Sequence, residues 1–113
     1  MHELGVVMEV ARVVEEFARE NDVEEVDTIV LQVGELSSMI PKYIYDVYPA
    51  AVDGTMLEKT KLDIEIIPGN GQCGGCKTVF NILENHAACP NCQSTQFELL
   101  SGREFYIKEI VCY

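Results

Sequence analysis

Positive charge is scarce in this 113-residue chain: eight Lys and Arg stand against nineteen Asp and Glu, a formal net charge of −11. Such a field repels nucleic acid and anionic lipid and favours cations or basic partners. Histidine is scarcer still, with only His2 and His86, far apart in sequence. No Ser/His/Asp grouping, phosphate loop or zinc-protease motif accompanies them, so covalent catalysis lacks its usual cast. Adjacent acids such as Glu15 with Glu16 and Glu24 with Glu25 read as solvated surface on so acidic a chain. No stretch approaches the roughly 18 apolar residues of a membrane-spanning helix. The first twenty residues, interrupted by Glu3, Glu9, Arg12, Glu15, Glu16, Arg19 and Glu20, lack the core of a secretory signal. The expectation is a soluble, intracellular protein that is not an enzyme and has no nucleic-acid or membrane partner.

What is present suits a packed core. Hydrophobic residues make up 48% and charged residues 24%, close to a globular average, in a length that holds one domain or a small domain with an appendage. From Leu4 to Glu20, Glu9, Arg12, Glu16 and Arg19 recur at three or four, while Val6, Val7, Val10, Val13, Val14 and Phe17 fill the remaining arc. This predicts an amphipathic helix with a broad buried face. Val26 to Val33 is rich in branched residues, puts Ile29, Leu31 and Val33 on one face and ends at Gly34, as a strand would. Pro41 suits the first turn of a second helix containing Ile44, Val47, Tyr48 and Ala51, with a kink expected at Pro49. Leu62, Ile64 and Ile66 alternate with acids in a second strand that stops at Pro68-Gly69. Phe105 to Cys112 gives a third, its apolar phase shifting near Lys108 as at a bulge. The fold class is α+β: a small mixed sheet of about three strands with two helices, plus an inserted lobe.

That lobe announces itself by charge and by cysteine. Residues 1–72 carry 15 acids and 5 bases, whereas residues 73–92 carry only Lys77 and Glu84. Turn-forming Pro68-Gly69-Asn70-Gly71 and Ser101-Gly102 bracket the segment as an insertion between strands. Inside it, Cys73-Gly74-Gly75-Cys76 and Cys89-Pro90-Asn91-Cys92 form two CxxC pairs, the spacing that presents four sulfurs tetrahedrally to one ion. A structural zinc in a ribbon-like lobe is the leading reading. Thr78 to Phe80 and Phe97 to Leu100 supply flanking strands, and Gly74, Gly75 and Asn91 supply permissive backbone. A redox dithiol and an iron electron-transfer centre use the same ligands and stay open. His86 reads as an exposed loop residue and Cys112 as a strand thiol.

At the other end, Met1-His2-Glu3 crowds a terminal amine, main-chain nitrogens, an imidazole and a carboxylate into three residues. With deprotonated amides such donors suit the square-planar preference of nickel or copper, although a solvated terminal imidazole gives the same sequence.

Together, Met1-His2-Glu3-Leu4, Val33-Gly34-Glu35-Leu36-Ser37, Pro41, Asp53-Gly54-Thr55 to Leu62, the two CxxC knuckles and Ser101-Gly102 leading to Ile107-Lys108 resemble the HypA/HybF family of hydrogenase nickel-incorporation proteins. The resemblance spans nearly the whole chain. It implies a nickel-binding domain over residues 1–70 and 102–113 and an inserted zinc-binding domain over 71–101. It implies transferable nickel at His2, Glu3 and main-chain nitrogens, and zinc at Cys73, Cys76, Cys89 and Cys92. The implied partners are a hydrogenase-maturation GTPase, the large subunit of nickel-iron hydrogenase and, for some members, urease maturation proteins, with the chain acting as a monomer or homodimer in the cytoplasm. A zinc-ribbon interaction module without transferable metal is the rival reading.

Overall fold

The computed structural model describes residues 2–113; Met1 and the side chain of His2 fall outside the described residues. The elements run α1 (His2–Glu20), β1 (Val26–Gly34), α2 (Pro41–Val52), β2 (Lys61–Ile67), β3 (Asn70–Cys73), β4 (Val79–Asn81), β5 (Phe97–Leu99) and β6 (Phe105–Cys112). They build an α+β protein with two three-stranded sheets, ordered β2-β1-β6 and β4-β3-β5. The chain divides into two compact units. One comprises the residues up to Gln32, Met39–Glu65 and Phe105–Tyr113, and the other comprises Val33–Ser38 and Ile66–Glu104.

In the first unit, α1 buries Val7, Val10, Ala11, Val14 and Ala18. Its solvent side is laced by Arg12, which donates to Glu9 at 2.6 and 3.0 Å and to Glu16 at 2.8 Å, the three-and-four spacing that lets side chains meet on a helix. The buried stripe is narrower than the apolar pattern suggests, since Val13 and Phe17 are both 39% exposed. The helix stops where Asp22 turns left-handed (φ 54°) and Val23 N–H bonds back to the Ala18 carbonyl.

Strand β1 is central, and Ile29, Leu31 and Val33 are fully buried. Thr28 and Val30 on its other face are buried as well, so burial runs nearly unbroken along the strand instead of alternating, with only Asp27 and Gln32 half-buried. Both neighbours are only partly covered. In β2, Leu62 and Ile64 are half-buried, but Ile66, expected inward, is 49% exposed. In β6 the half-buried positions move from Phe105 and Ile107 to Ile110 and Cys112 across exposed Lys108 and Glu109.

Helix α2 starts at Pro41 without a side-chain cap, and Pro49 lies within its last turn. Proline removes an N–H there, yet the helix runs on to Val52. Tyr48 donates to the Thr60 carbonyl at 2.9 Å, and Thr60 Oγ1 donates to the Val26 carbonyl at 2.7 Å. Burial pushes the Tyr48 hydroxyl up to about 12, so it remains a donor.

In the second unit, β3 pairs antiparallel with β4 and β5, placing Gly71 opposite both Phe80 and Leu99. Phe80, Ile82, Cys73 and Cys89 form its buried cluster, joined by Leu36, Phe97 and Leu99. The Phe80 and Phe97 rings meet edge to face, 81° apart in plane and 5.7 Å between centroids. The central strand β3 begins at Asn70, inside the run read from sequence as a turn. Gly71 is a packing glycine: a Cβ there would stand 2.7 Å from Ile82 and 2.9 Å from Phe97.

Candidate metal centre

Each cysteine pair occupies a tight turn with the same hydrogen-bond plan. Cys73 N–H bonds to the Thr78 carbonyl, and Lys77 N–H returns to the Cys73 carbonyl. The second knuckle repeats this with Cys89 N–H to Ser94 and Gln93 N–H to Cys89. The strained residue follows the second cysteine each time: Lys77 has φ 65° and Gln93 φ 64°. Gly74, Gly75 and Asn91, the positions expected to absorb the tight backbone, are not among the described residues with positive φ.

The two turns bring the four sulfurs within 4.8 Å of one another. Cys73 and Cys92 are 3.5 Å apart and Cys76 and Cys89 are 3.6 Å apart. Sulfurs about 2.3 Å from a tetrahedral zinc stand about 3.8 Å from each other, so the donor set and its spacing fit that ion. Cys73 and Cys89 are buried, Cys76 is half-buried and Cys92 is exposed.

The surroundings favour thiolate on part of the cluster. Main-chain N–H groups of Cys76 and Gly75 hold the Cys73 thiol below its ordinary range. Asn91 and Thr78 side chains, with the Thr78 N–H, bring Cys76 down to about 5. The Ser94 N–H favours a thiolate at Cys92, but the sulfurs of Cys73, Cys76 and Cys89 and partial burial outweigh it and push Cys92 up to about 12. Crowded sulfurs resist sharing charge without a cation.

Among the described residues, these four cysteines are the group of His, Cys, Asp or Glu side chains close enough to share an ion. His86 is exposed in a turn with φ 52° and does not join them. Cys112 sits on β6 in the first unit, half-buried. The nickel assignment to His2 rests on a side chain outside the described residues. Glu3, its expected helper, is buried in the first turn of α1, where a carboxylate complements the helix dipole.

Sequence reading of individual residues missed how the lobe is braced. Glu35 accepts from Gly69 N–H at 2.7 Å and from Asn81 Nδ2 at 3.1 Å. A Cβ on Gly34 would stand 2.0 Å from the Gly102 carbonyl oxygen, one on Gly102 2.5 Å from Gly69 Cα, and one on Gly69 2.5 Å from Leu36. The segment Gly34-Glu35-Leu36 was visible only as part of a family pattern; here it accounts for a close crossing of three chain segments.

Fold and site define a small α+β protein with a four-cysteine ribbon unit fit for one metal ion. Residues 1–112 match the family described as hydrogenase/urease nickel incorporation, metallochaperone, hypA. The chain belongs to the HypA family. It is 32% identical over 110 residues to the hydrogenase maturation factor HypA of Geobacter sulfurreducens, covering 97% of both chains. It is 35% identical to that of Streptomyces avermitilis, covering 97% of this chain and 86% of the relative. The solution structure of the Ni metallochaperone HypA from Helicobacter pylori shares the fold, with a TM-score of 0.64 at 22% identity over 97% of this chain and 96% of that one. Another HypA solution structure gives a TM-score of 0.71 at 24% identity, covering 100% and 97% of the two chains.

Proposed function

We propose that this chain is a nickel metallochaperone of hydrogenase maturation, holding nickel at His2 and Glu3 with main-chain nitrogens. The observation that carries the reading is the family match over residues 1–112, which includes both the N-terminal tripeptide and the last strand. Nickel is cargo here. Cys73, Cys76, Cys89 and Cys92 hold a resident zinc, whose four thiolates leave no open position for substrate, so the ion folds the lobe rather than doing chemistry. Residues 1–70 and 102–113 act as the nickel-binding domain and 71–101 as the zinc-binding domain. The chain is a carrier and not an enzyme. It works in the cytoplasm with a maturation GTPase to load the large subunit of nickel-iron hydrogenase, and serves urease maturation by the same transfer. No helix among the described residues is long and apolar enough to cross a membrane.

The test is metal analysis and calorimetry on protein with its native N-terminus. His2→Ala removes the imidazole and is expected to abolish tight nickel binding while leaving zinc content and helix content unchanged. One residue added ahead of Met1 turns the terminal amine into an amide and weakens nickel only if that amine is a ligand. Equal nickel affinity in His2→Ala and parent would move the site elsewhere. A native N-terminus that takes up no nickel would leave a zinc-ribbon interaction module.

A further inference from the structure

The four sulfurs of the ribbon unit are not equally open to attack. Cys73 and Cys89 are buried, which leaves Cys76 and Cys92 as the two that solvent reaches, Cys92 the more exposed. Their hydrogen-bond surroundings differ. Thr78 Oγ1 stands 3.1 Å from the Cys76 sulfur, where its hydroxyl donates once that sulfur is ionised. The Thr78 N–H and the Asn91 side chain, which reaches across from the second knuckle to the first, donate to Cys76 as well. Among the described residues no hydroxyl or amide side chain is bonded to Cys92, whose donor from outside the cluster is the Ser94 N–H. Asn91 and Gln93 on either side of it are exposed.

That asymmetry has a chemical meaning. Thiolate reactivity depends on access and on surroundings, and a sulfur lone pair engaged by an O–H or N–H donor is withheld from an incoming carbon, because hydrogen bonds to an ionised acceptor are the strong ones. Cys73 and Cys89 are guarded by burial. Cys76 is guarded by Thr78 and Asn91. Cys92 has neither protection.

We propose that Cys92 is a modification site, the zinc thiolate that soft carbon electrophiles of the α,β-unsaturated carbonyl class reach first and through which the ribbon unit is opened. The inference rests on the resident-zinc reading and adds an order of reactivity inside that site. In the step, the Cys92 sulfur forms a bond to the β-carbon, the carbon–carbon double bond yields its π pair to the α-carbon, and water supplies the proton taken up there. The product is a neutral thioether. Since the ion is held by deprotonated cysteines and the lobe folds around it, loss of one thiolate of four loosens both. Thr78 and Asn91 are positioning residues that keep Cys76 from competing.

The probe is N-ethylmaleimide, added in limiting amount to zinc-loaded protein whose metal content has been measured. Fragment-ion mapping locates the adducts, with Cys112 scored separately, and a colorimetric chelator follows zinc release. Within the cluster the first adduct is expected at Cys92, about tenfold ahead of Cys76, with zinc appearing in step with the Cys92 adduct. Thr78→Val and Asn91→Ala each remove a donor from Cys76 and are expected to raise its share of adduct severalfold at unchanged zinc content, a shift that a merely structural role would not produce. First adducts at Cys73, Cys76 or Cys89, an even spread, a Cys92 adduct that keeps its zinc, or an unmoved share in both variants would overturn the proposal while leaving the zinc reading intact. Failure of that reading looks different: protein that neither carries zinc nor takes it up removes the reading and the proposal together before any reagent is added.

Discussion

Lys77 and Gln93 sit in the left-handed region that glycine occupies without penalty, one directly after each CxxC pair. Lys77→Gly relieves that strain but enlarges the freedom of the unfolded chain, for a net gain of roughly 0.5 kcal/mol. The same substitution at exposed Glu84, outside the left-handed positions, is expected to gain nothing, and urea titration of the two variants checks the difference. Gly34→Ala should act in the opposite sense. Its Cβ would stand 2.0 Å from the Gly102 carbonyl, a clash with backbone that costs about 3 kcal/mol or prevents folding. Spacing made the four sulfur ligands legible because CxxC pairs encode a turn. The residue that bends was not legible: Lys and Gln carry no signal for left-handed backbone, which the hydrogen bonds of each knuckle impose.

Across the outer face of the first sheet runs a polar row from Glu65 on β2 through Gln32 on β1 to Tyr106 and Lys108 on β6. A side-chain bond from Gln32, then the Lys108 ammonium, holds the Glu65 carboxyl below its ordinary value of 4.5. Lowering in the folded state means that the row stabilises above about pH 4.5 and loses this contribution as pH falls through the depressed value. Glu65→Gln is therefore expected to flatten the acid side of the stability profile by lowering stability modestly at pH 7 and hardly at all near pH 3, as followed by denaturant midpoints from pH 3 to 7. On the proposed function, the ribbon unit depends on a zinc ion instead. Cys73→Ser, or a chelator, should strip amide protection from β3, β4 and β5 while β1 stays protected; equal loss in both would mean that the two units unfold together. Helical periodicity made α1 legible, a run of branched residues ending at Gly34 made β1 legible, and two short alternating stretches made β6 legible. Strand β3 was not, because Asn70-Gly71 looks like a turn until Ile82 and Phe97 occupy the space a side chain would need.

At the scale of the molecule, a net charge of −11 over 113 residues governs association. Non-specific DNA binding requires neutralised phosphates, so submicromolar affinity for random duplex DNA at physiological salt is not expected in a filter-binding assay. The glycine crossing carries a consequence in time. Strand β6 reaches its place beside β1 only after the chain has travelled from Ile67 to Phe105, a loop of about 37 residues. Once the ribbon is folded, Gly69 and Gly102 touch, and the loop left to close is about five residues. The saving in closure entropy is roughly 1.8 kcal/mol, a factor of about twenty in the rate at which the last strand docks. The proposed zinc would thus set the pace of a domain that supplies none of its ligands: refolding started from the metal-loaded ribbon should outrun refolding in chelator by about that factor.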